Sequence, residues 1–378
     1  MSTALDRSTE NQARARVALT AALASPSHAY LFRGPRGAGK RAAARAFAAE
    51  ILATGAEDPD DARRRALLDP SPHPDLVWLA PRGAQHLVEE VRERVIRAAV
   101  YRPFEGGRRV FVIEAAEALR DESQNALLKT LEEPPGYAHL ILLSAEPEAL
   151  LETVASRCQP VEFIPLSAEV LEAELAATVP DVAGGEDAAG PAAADELAAA
   201  ARLAAGDLER ARLLASDRGR ELRAQAERCV AAALAGTVGS APWRQLLERA
   251  AAAGEDVEAA VRETLEGQAE AGLKRTARDV ADESKRAGRR RRTEILDLGL
   301  ELCAAWLRDL AALAAGAEAV VFNRDRFEVL SAQAAGLEPG RARAGAEAVQ
   351  ETRRGLDLNV SEELALEALF FRLERLLG

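Results

Sequence analysis

VFVIEAAEALRDESQNALLKTLEEPPGYAHLILLSAEPEALLETVASRC, residues 110–158, decides how the rest of the chain is read. It opens on an unbroken apolar run, Val110 to Ile113, that ends on Glu114. Such a run, short, rich in β-branched residues and without alternation, predicts a strand buried on both faces. A helix follows. Asp121 is placed to cap it, and Ala126, Leu127, Leu128 and Leu131 make its apolar stripe. Pro134-Pro135-Gly136 stops the helix, because proline cannot continue the hydrogen-bond ladder. A second apolar strand is expected from His139 to Leu143, then a short helix ending at Ser156-Arg157-Cys158. Strand–helix alternation with fully apolar strands is the sequence pattern of a parallel α/β sheet.

Working outward, Tyr30-Leu31-Phe32 reads as a strand running into Gly34-Pro35-Arg36-Gly37-Ala38-Gly39-Lys40-Arg41, with a helix expected from Ala42 to Leu52. A glycine-rich loop between a strand and a helix can turn its backbone N–H groups around phosphate oxygens, with the helix N-terminus adding partial positive charge. Lys40 is placed to reach the terminal phosphates. Further strands are expected at Asp75 to Leu79 and Pro160 to Ile164, with a helix from Gln85 to Val100 presenting Leu87, Val91, Val95 and Ile96 on one face. An amphipathic helix, Asn11 to Leu23, precedes the first strand. The expected fold is a five-stranded parallel α/β module.

GPRGAGK, HPDLVWLAP, VFVIEAAEAL, NALLKTLEEPP and ASRC together resemble the delta-prime family of bacterial replicative clamp-loader subunits, within the AAA+ P-loop superfamily. The resemblance is strong over Ser27 to Leu166 and looser beyond. It implies an AAA+ module, a helical lid and an all-helical collar. It also implies a cytoplasmic component of the DNA polymerase III holoenzyme. The implied partners are gamma/tau and delta subunits in a five-subunit ring, the sliding clamp, and primed DNA reached through the complex. The alternative is an ATP-hydrolysing gamma/tau-like motor subunit. ATP or ADP would be held by Gly34, Gly37, Ala38, Gly39, Lys40 and Arg41, without turnover.

Three departures from the hydrolysing pattern carry that last expectation. After the lysine a hydrolysing loop needs Ser or Thr, whose hydroxyl ligates magnesium. Arg41 has no acceptor atom. Active members of the superfamily end their central strand in Asp-Glu. Here the pair is Glu114-Ala115, and alanine cannot act as a base. Active members also place an arginine three residues after the position of Gly206, where this chain has Glu209, with Arg210 one step off. The loop is therefore either a phosphate cradle that does not turn over or a relic turn kept for packing. Ser144 matches a nucleotide-sensing position and equally reads as a strand-end hydroxyl. Arg157, in Ser156-Arg157-Cys158, matches the family's arginine finger, offered in trans to a neighbour's ATP. Its plain alternative is a surface arginine at a helix C-terminus.

The remaining features narrow the class. A net charge of −12 argues for a component of a protein assembly and against an autonomous DNA binder. Cys158, Cys229 and Cys303 are too far apart in sequence for paired metal spacing or a disulfide framework, and Gly55 to Pro74 lacks the cysteines of the family's zinc module, so no metal is expected. No run approaches a membrane span and the N-terminus is too polar for a signal peptide. From Ser167 on the pattern is helical: Ala168 to Ala177, a small-residue loop over Val179 to Ala194, then Asp195 to Ala204 and Asp207 to Ala215. The expected domains are residues 1–166 (α/β), 167–216 (lid) and 217–378 (collar). In the last, Lys285 to Arg292 heads a helix from Glu294 to Leu313. Its arginines, Arg289 to Arg292, would meet either DNA phosphates or acidic neighbours. The final helix is expected from Glu362 to Leu377.

Overall fold

The computed structural model describes residues 3–81, 85–178, 191–270, 276–356 and 360–378. The chain divides into two compact units, Met1–Leu166 and Ser167–Gly378. The first holds a five-stranded sheet of β1 (Ala29–Arg33), β2 (Leu76–Leu79), β3 (Arg109–Ile113), β4 (Ala138–Ser144) and β5 (Gln159–Glu162). All pairings are parallel and the order is β2-β3-β4-β1-β5. Every residue of β3 and β4 is buried, which is why neither strand shows alternation in the sequence.

The two faces are nevertheless distinct, because successive side chains point opposite ways. Tyr30, Phe32, Val110, Val112, Ile141, Leu143 and Val161 face one cluster, which takes Phe47 and Ile51 from α3 (Lys40–Ala53). Leu5 of α1 (Ala4–Ser8) and Leu19 of α2 (Ala13–Ala24) join it. Leu31, Phe111, Ile113, Leu140 and Leu142 face the other, closed by Val91, Val95, Leu127 and Val154. These come from α5 (Val88–Val91), the π-helical stretch Arg92–Arg97 that continues it into α6 (Ala98–Val100), α7 (Asp121–Glu132) and α8 (Glu152–Ala155). A further helix, α4 (Pro59–Leu67), is capped by Asp58 and packs on α3 through Ala62 and Ala66.

Several local expectations shift. α1 was not legible; it is a single capping box, Thr3 with Asp6. The helix expected from Gln85 starts at Val88, and Leu87 is exposed as its N-cap. Asp121 is the first helical residue of α7 and not its cap, which is Arg120 and makes no side-chain cap bond. There Asp121 still favours the helix through its charge in the first turn.

The second unit contains α9 (Ala168–Thr178), α10 (Pro191–Leu203), α11 (Leu208–Ala215), α12 (Asp217–Leu234), α13 (Arg244–Glu270), α14 (Ala277–Ala314), α15 (Phe327–Ala334), α16 (Pro339–Leu356) and α17 (Glu362–Leu377). Of the loop expected over Val179 to Ala194, residues 179–190 lie outside the described residues, and 191–194 already belong to α10. Ser216 is the N-cap of α12, its side chain accepting from the Gly219 N–H. α14 spans 38 residues and absorbs the basic stretch that was expected to precede it. Thr276 starts it with a capping box to Asp279, and no proline interrupts it. At Gly288 it crosses α13 so closely that a Cβ there would stand 2.8 Å from the Gly254 carbonyl oxygen.

Candidate phosphate-loop site

β1 lies between β4 and β5, so the chain leaving its carboxyl end enters the crevice where open parallel sheets bind ligands. Gly34 starts the loop and donates its N–H to the Ser144 carbonyl, 3.2 Å away. Its φ is +142°, and a Cβ there would stand 2.0 Å from the Phe163 carbonyl oxygen, so only glycine fits. Gly39, at φ +87°, is the N-cap that turns the loop into α3. Gln12 pins the loop from behind: its Nε2 donates to the Ala38 carbonyl (3.1 Å) and the Ile164 carbonyl (2.7 Å), and its Oε1 accepts from the Ile164 N–H (3.0 Å).

Lys40 is buried at the start of α3, and its ammonium donates to the carbonyls of Gly34 and, at 2.6 Å, Pro35. Arg41, one residue on, points into a charged cluster. Its Nε pairs with Glu114 Oε1 and its Nη2 donates to Asp69 Oδ2 at 2.7 Å. The other oxygen of Asp69 takes Arg45 Nη2 at 2.9 Å. The Arg45 guanidinium lies 4.3 Å from the centre of the Trp78 ring, a cation–π contact from the adjoining strand β2. Glu114 is thus engaged by the residue that stands in place of a metal-binding hydroxyl.

Behind Glu114 the backbone is held firmly. Its N–H donates to the Leu79 carbonyl (2.8 Å), and its carbonyl accepts from His86 Nε2 (2.7 Å). His86 is buried, which pushes its pKa down and favours the neutral ring. Ala115 then sits in the left-handed region at φ 46°. Ser144 is fully buried, its hydroxyl accepting from the Glu146 N–H at 3.2 Å, which ties it to the strand end.

The residues do not fit a magnesium ion. The position after the lysine carries a guanidinium, the carboxylate at the end of β3 is paired to it, and the next residue is alanine. Among the described residues no group of three or more His, Cys, Asp and Glu could hold a metal ion. His73 is buried and accepts from the Asp75 N–H at 3.2 Å through Nδ1. The Cys158 thiol is pushed up to about 12 by burial and serves as an apolar filler.

Arg157 follows α8 at the opposite end of the sheet from the phosphate loop. Its Nη1 donates to the Thr153 carbonyl (2.9 Å) and its Nη2 to Glu132 Oε1 (2.6 Å), a carboxylate at the end of α7. No spacing in the sequence marks Glu132, 25 residues earlier, as its partner. In the second unit Glu209 is exposed, and Arg210 pairs with Glu301 on α14, which also takes Arg353 Nη2 at 2.6 Å. Of the basic stretch, Arg292 pairs with Glu362, Arg291 lies 3.5 Å from Glu294, and Arg289 and Arg290 are exposed. No helix among the described residues is long and apolar enough to cross a membrane.

A parallel sheet in this order, with a glycine-rich phosphate loop after β1, gives the first unit the architecture of a P-loop α/β module. Residues 11–167 match the family described as DNA polymerase III, delta subunit. The DNA polymerase III subunit delta′ of Pseudomonas aeruginosa is 40% identical over 164 residues, 42% of this chain and 49% of that protein. The delta′ subunit of Bacillus subtilis is 32% identical over 154 residues, 39% of this chain and 46% of that protein. The tau subunit of B. subtilis is 34% identical over 148 residues, 38% of this chain and 26% of that protein. The chain spans about half the length of the delta′ relatives it matches. Among solved structures, a gamma subunit-related DNA polymerase III protein of Thermotoga maritima aligns at a TM-score of 0.42 and 16% identity, covering 97% of this chain and 100% of that one.

Proposed function

We propose that the chain is a non-hydrolysing, delta-prime-type subunit of a DNA polymerase III clamp loader, acting in the cytoplasm to help place a sliding clamp on primed DNA. Its partners in this reading are gamma/tau and delta subunits in a five-membered ring. Adenine nucleotide is held by the N–H groups of Gly37, Ala38 and Gly39 and by Lys40, without turnover. Arg157 is offered to the ATP of a neighbouring subunit. The observation that carries the non-hydrolysing part is the Arg41–Glu114 ion pair, which sets a fixed cation against the carboxylate that a motor subunit needs for magnesium. The same pair speaks against the gamma/tau-like alternative, and the delta′ relatives support the subunit type.

The test has two arms. Tagged chain should co-purify stoichiometrically with clamp-loader partners from its own source, and the isolated chain should show no ATP turnover. Turnover by the isolated chain that disappears in Lys40→Ala would return it to the motor class.

A further inference from the structure

A phosphate loop usually works with a magnesium ion, which draws together a hydroxyl after the lysine, a carboxylate at the end of the central strand and the nucleotide's own oxygens. In this chain both protein positions are engaged with each other. Arg41 carries a charge that cannot be removed near neutral pH. It spans Glu114 through Nε and Asp69 through Nη2, while Arg45 takes the second oxygen of Asp69 and stacks on Trp78. Two guanidinium groups therefore meet two carboxylates. A divalent ion at Glu114 would have to displace Arg41 and then stand beside the displaced cation. Left alone, Glu114 would repel a phosphate; bound to Arg41, it is neutralised from within the chain.

We propose that this phosphate loop takes nucleotide phosphates without a divalent cation, Arg41 standing in the place of the ion. This rests on the reading that the loop binds adenine nucleotide at all. Lys40 and the loop N–H groups then meet the phosphates directly. Arg41→Thr supplies the missing hydroxyl and releases Glu114, so that chain should bind nucleotide only with metal. It should still not hydrolyse ATP, since Ala115 provides no base.

The experiment is calorimetric titration of the full chain with ADP, once with excess magnesium chloride and once with EDTA. For the unaltered chain, EDTA should leave the dissociation constant within about twofold or tighten it. For Arg41→Thr, EDTA should weaken binding about tenfold or more, with magnesium restoring it. Weakening of about tenfold by EDTA in the unaltered chain overturns the metal-free mode and leaves nucleotide binding standing. Equal binding by Arg41→Thr in both buffers overturns the part given to Arg41. No binding by the unaltered chain in either buffer overturns nucleotide binding, and this inference with it.

Discussion

Replacing Arg157 separates its ion pair with Glu132 from the proposed finger role by magnitude. In the isolated chain the guanidinium makes a 2.6 Å pair with Glu132, and the two side chains are 35% and 49% exposed. Exposed pairs of this kind contribute about 0.2–1 kcal/mol, so Arg157→Ala should lower stability by no more than about 1 kcal/mol and leave assembly intact. An arginine finger supplied in trans is worth about 10³–10⁵ in turnover, or roughly 4–7 kcal/mol. A ring with several ATP sites dilutes this, because the chain would complete only one of them. Clamp-stimulated ATPase and clamp loading by a reconstituted complex should still fall clearly, and Arg157→Lys should rescue poorly, since a point charge lacks the planar fork. Glu132 adds a second handle. To reach a phosphate, Arg157 has to leave that carboxylate, at a cost of up to about 1 kcal/mol. Glu132→Gln should therefore leave the ATPase unchanged or raise it by up to about fivefold. Normal loading by an assembled Arg157→Ala complex refutes the finger. A loss in Glu132→Gln as deep as in Arg157→Ala would show that Glu132 positions the finger and does not merely hold it at rest.

Two further perturbations test the fold beneath the site. His73, His86 and His139 all have their pKa lowered from 6.5, chiefly by burial. The unfolded chain therefore binds protons first: stability is fully present above about pH 6.5 and is lost as pH falls toward the folded-state values. The urea midpoint should be lower at about pH 5.5 than at about pH 7.5, and equal midpoints would show that the folded chain protonates these rings without penalty. In the second unit, Gly254→Ala would place a Cβ 2.7 Å from the Gly288 carbonyl oxygen. Helix propensity alone favours alanine by about 1 kcal/mol, whereas overpacking costs about 1–3 kcal/mol, so a lower melting temperature is expected, and a higher one would mean that α13 and α14 separate freely.

What could be read in advance follows from the range of each interaction. The strands announced themselves because β3 and β4 are buried on both faces and so are apolar except at Arg109, His139 and Ser144. The glycine loop was legible because positive φ at Gly34 and Gly39 is a local demand for glycine, whereas the Phe163 carbonyl that also excludes a Cβ at Gly34 lies far along the chain. The partners of the charged groups were not. Asp69 meets Arg41 across 28 residues, Glu132 meets Arg157 across 25, and Glu301 joins Arg210 to Arg353 from a third helix. Such pairs follow from how helices pack, and no period or spacing in the sequence records them. The true start of α14 was missed for a related reason. Its first turns are rich in charge, so the apolar stripe that marks its later part is weak there, although the capping box at Thr276 and Asp279 was present to be read.

The register of the sheet decides which phosphate Arg157 could serve. β5 runs parallel to β1, with Gln159 beside Tyr30 and Glu162 beside Arg33. The phosphate loop begins at Gly34, just past the Arg33–Glu162 end. Arg157 lies just before Gln159, past the other end. A parallel strand advances about 3.3 Å per residue, so the stretch from Arg157 to Glu162 covers on the order of 16 Å, more than an arginine side chain spans. Arg157 is thus carried away from its own loop by the strand that follows it, so a phosphate held in that loop is out of its reach. The changes at Arg41 and Ala115 do not touch this. They sit at the carboxyl ends of β1 and β3, whereas the finger position is fixed by α8, Glu132 and the entry into β5. The proposed lack of turnover at one end of the sheet and the proposed service to a neighbour from the other therefore rest on separate parts of a single fold.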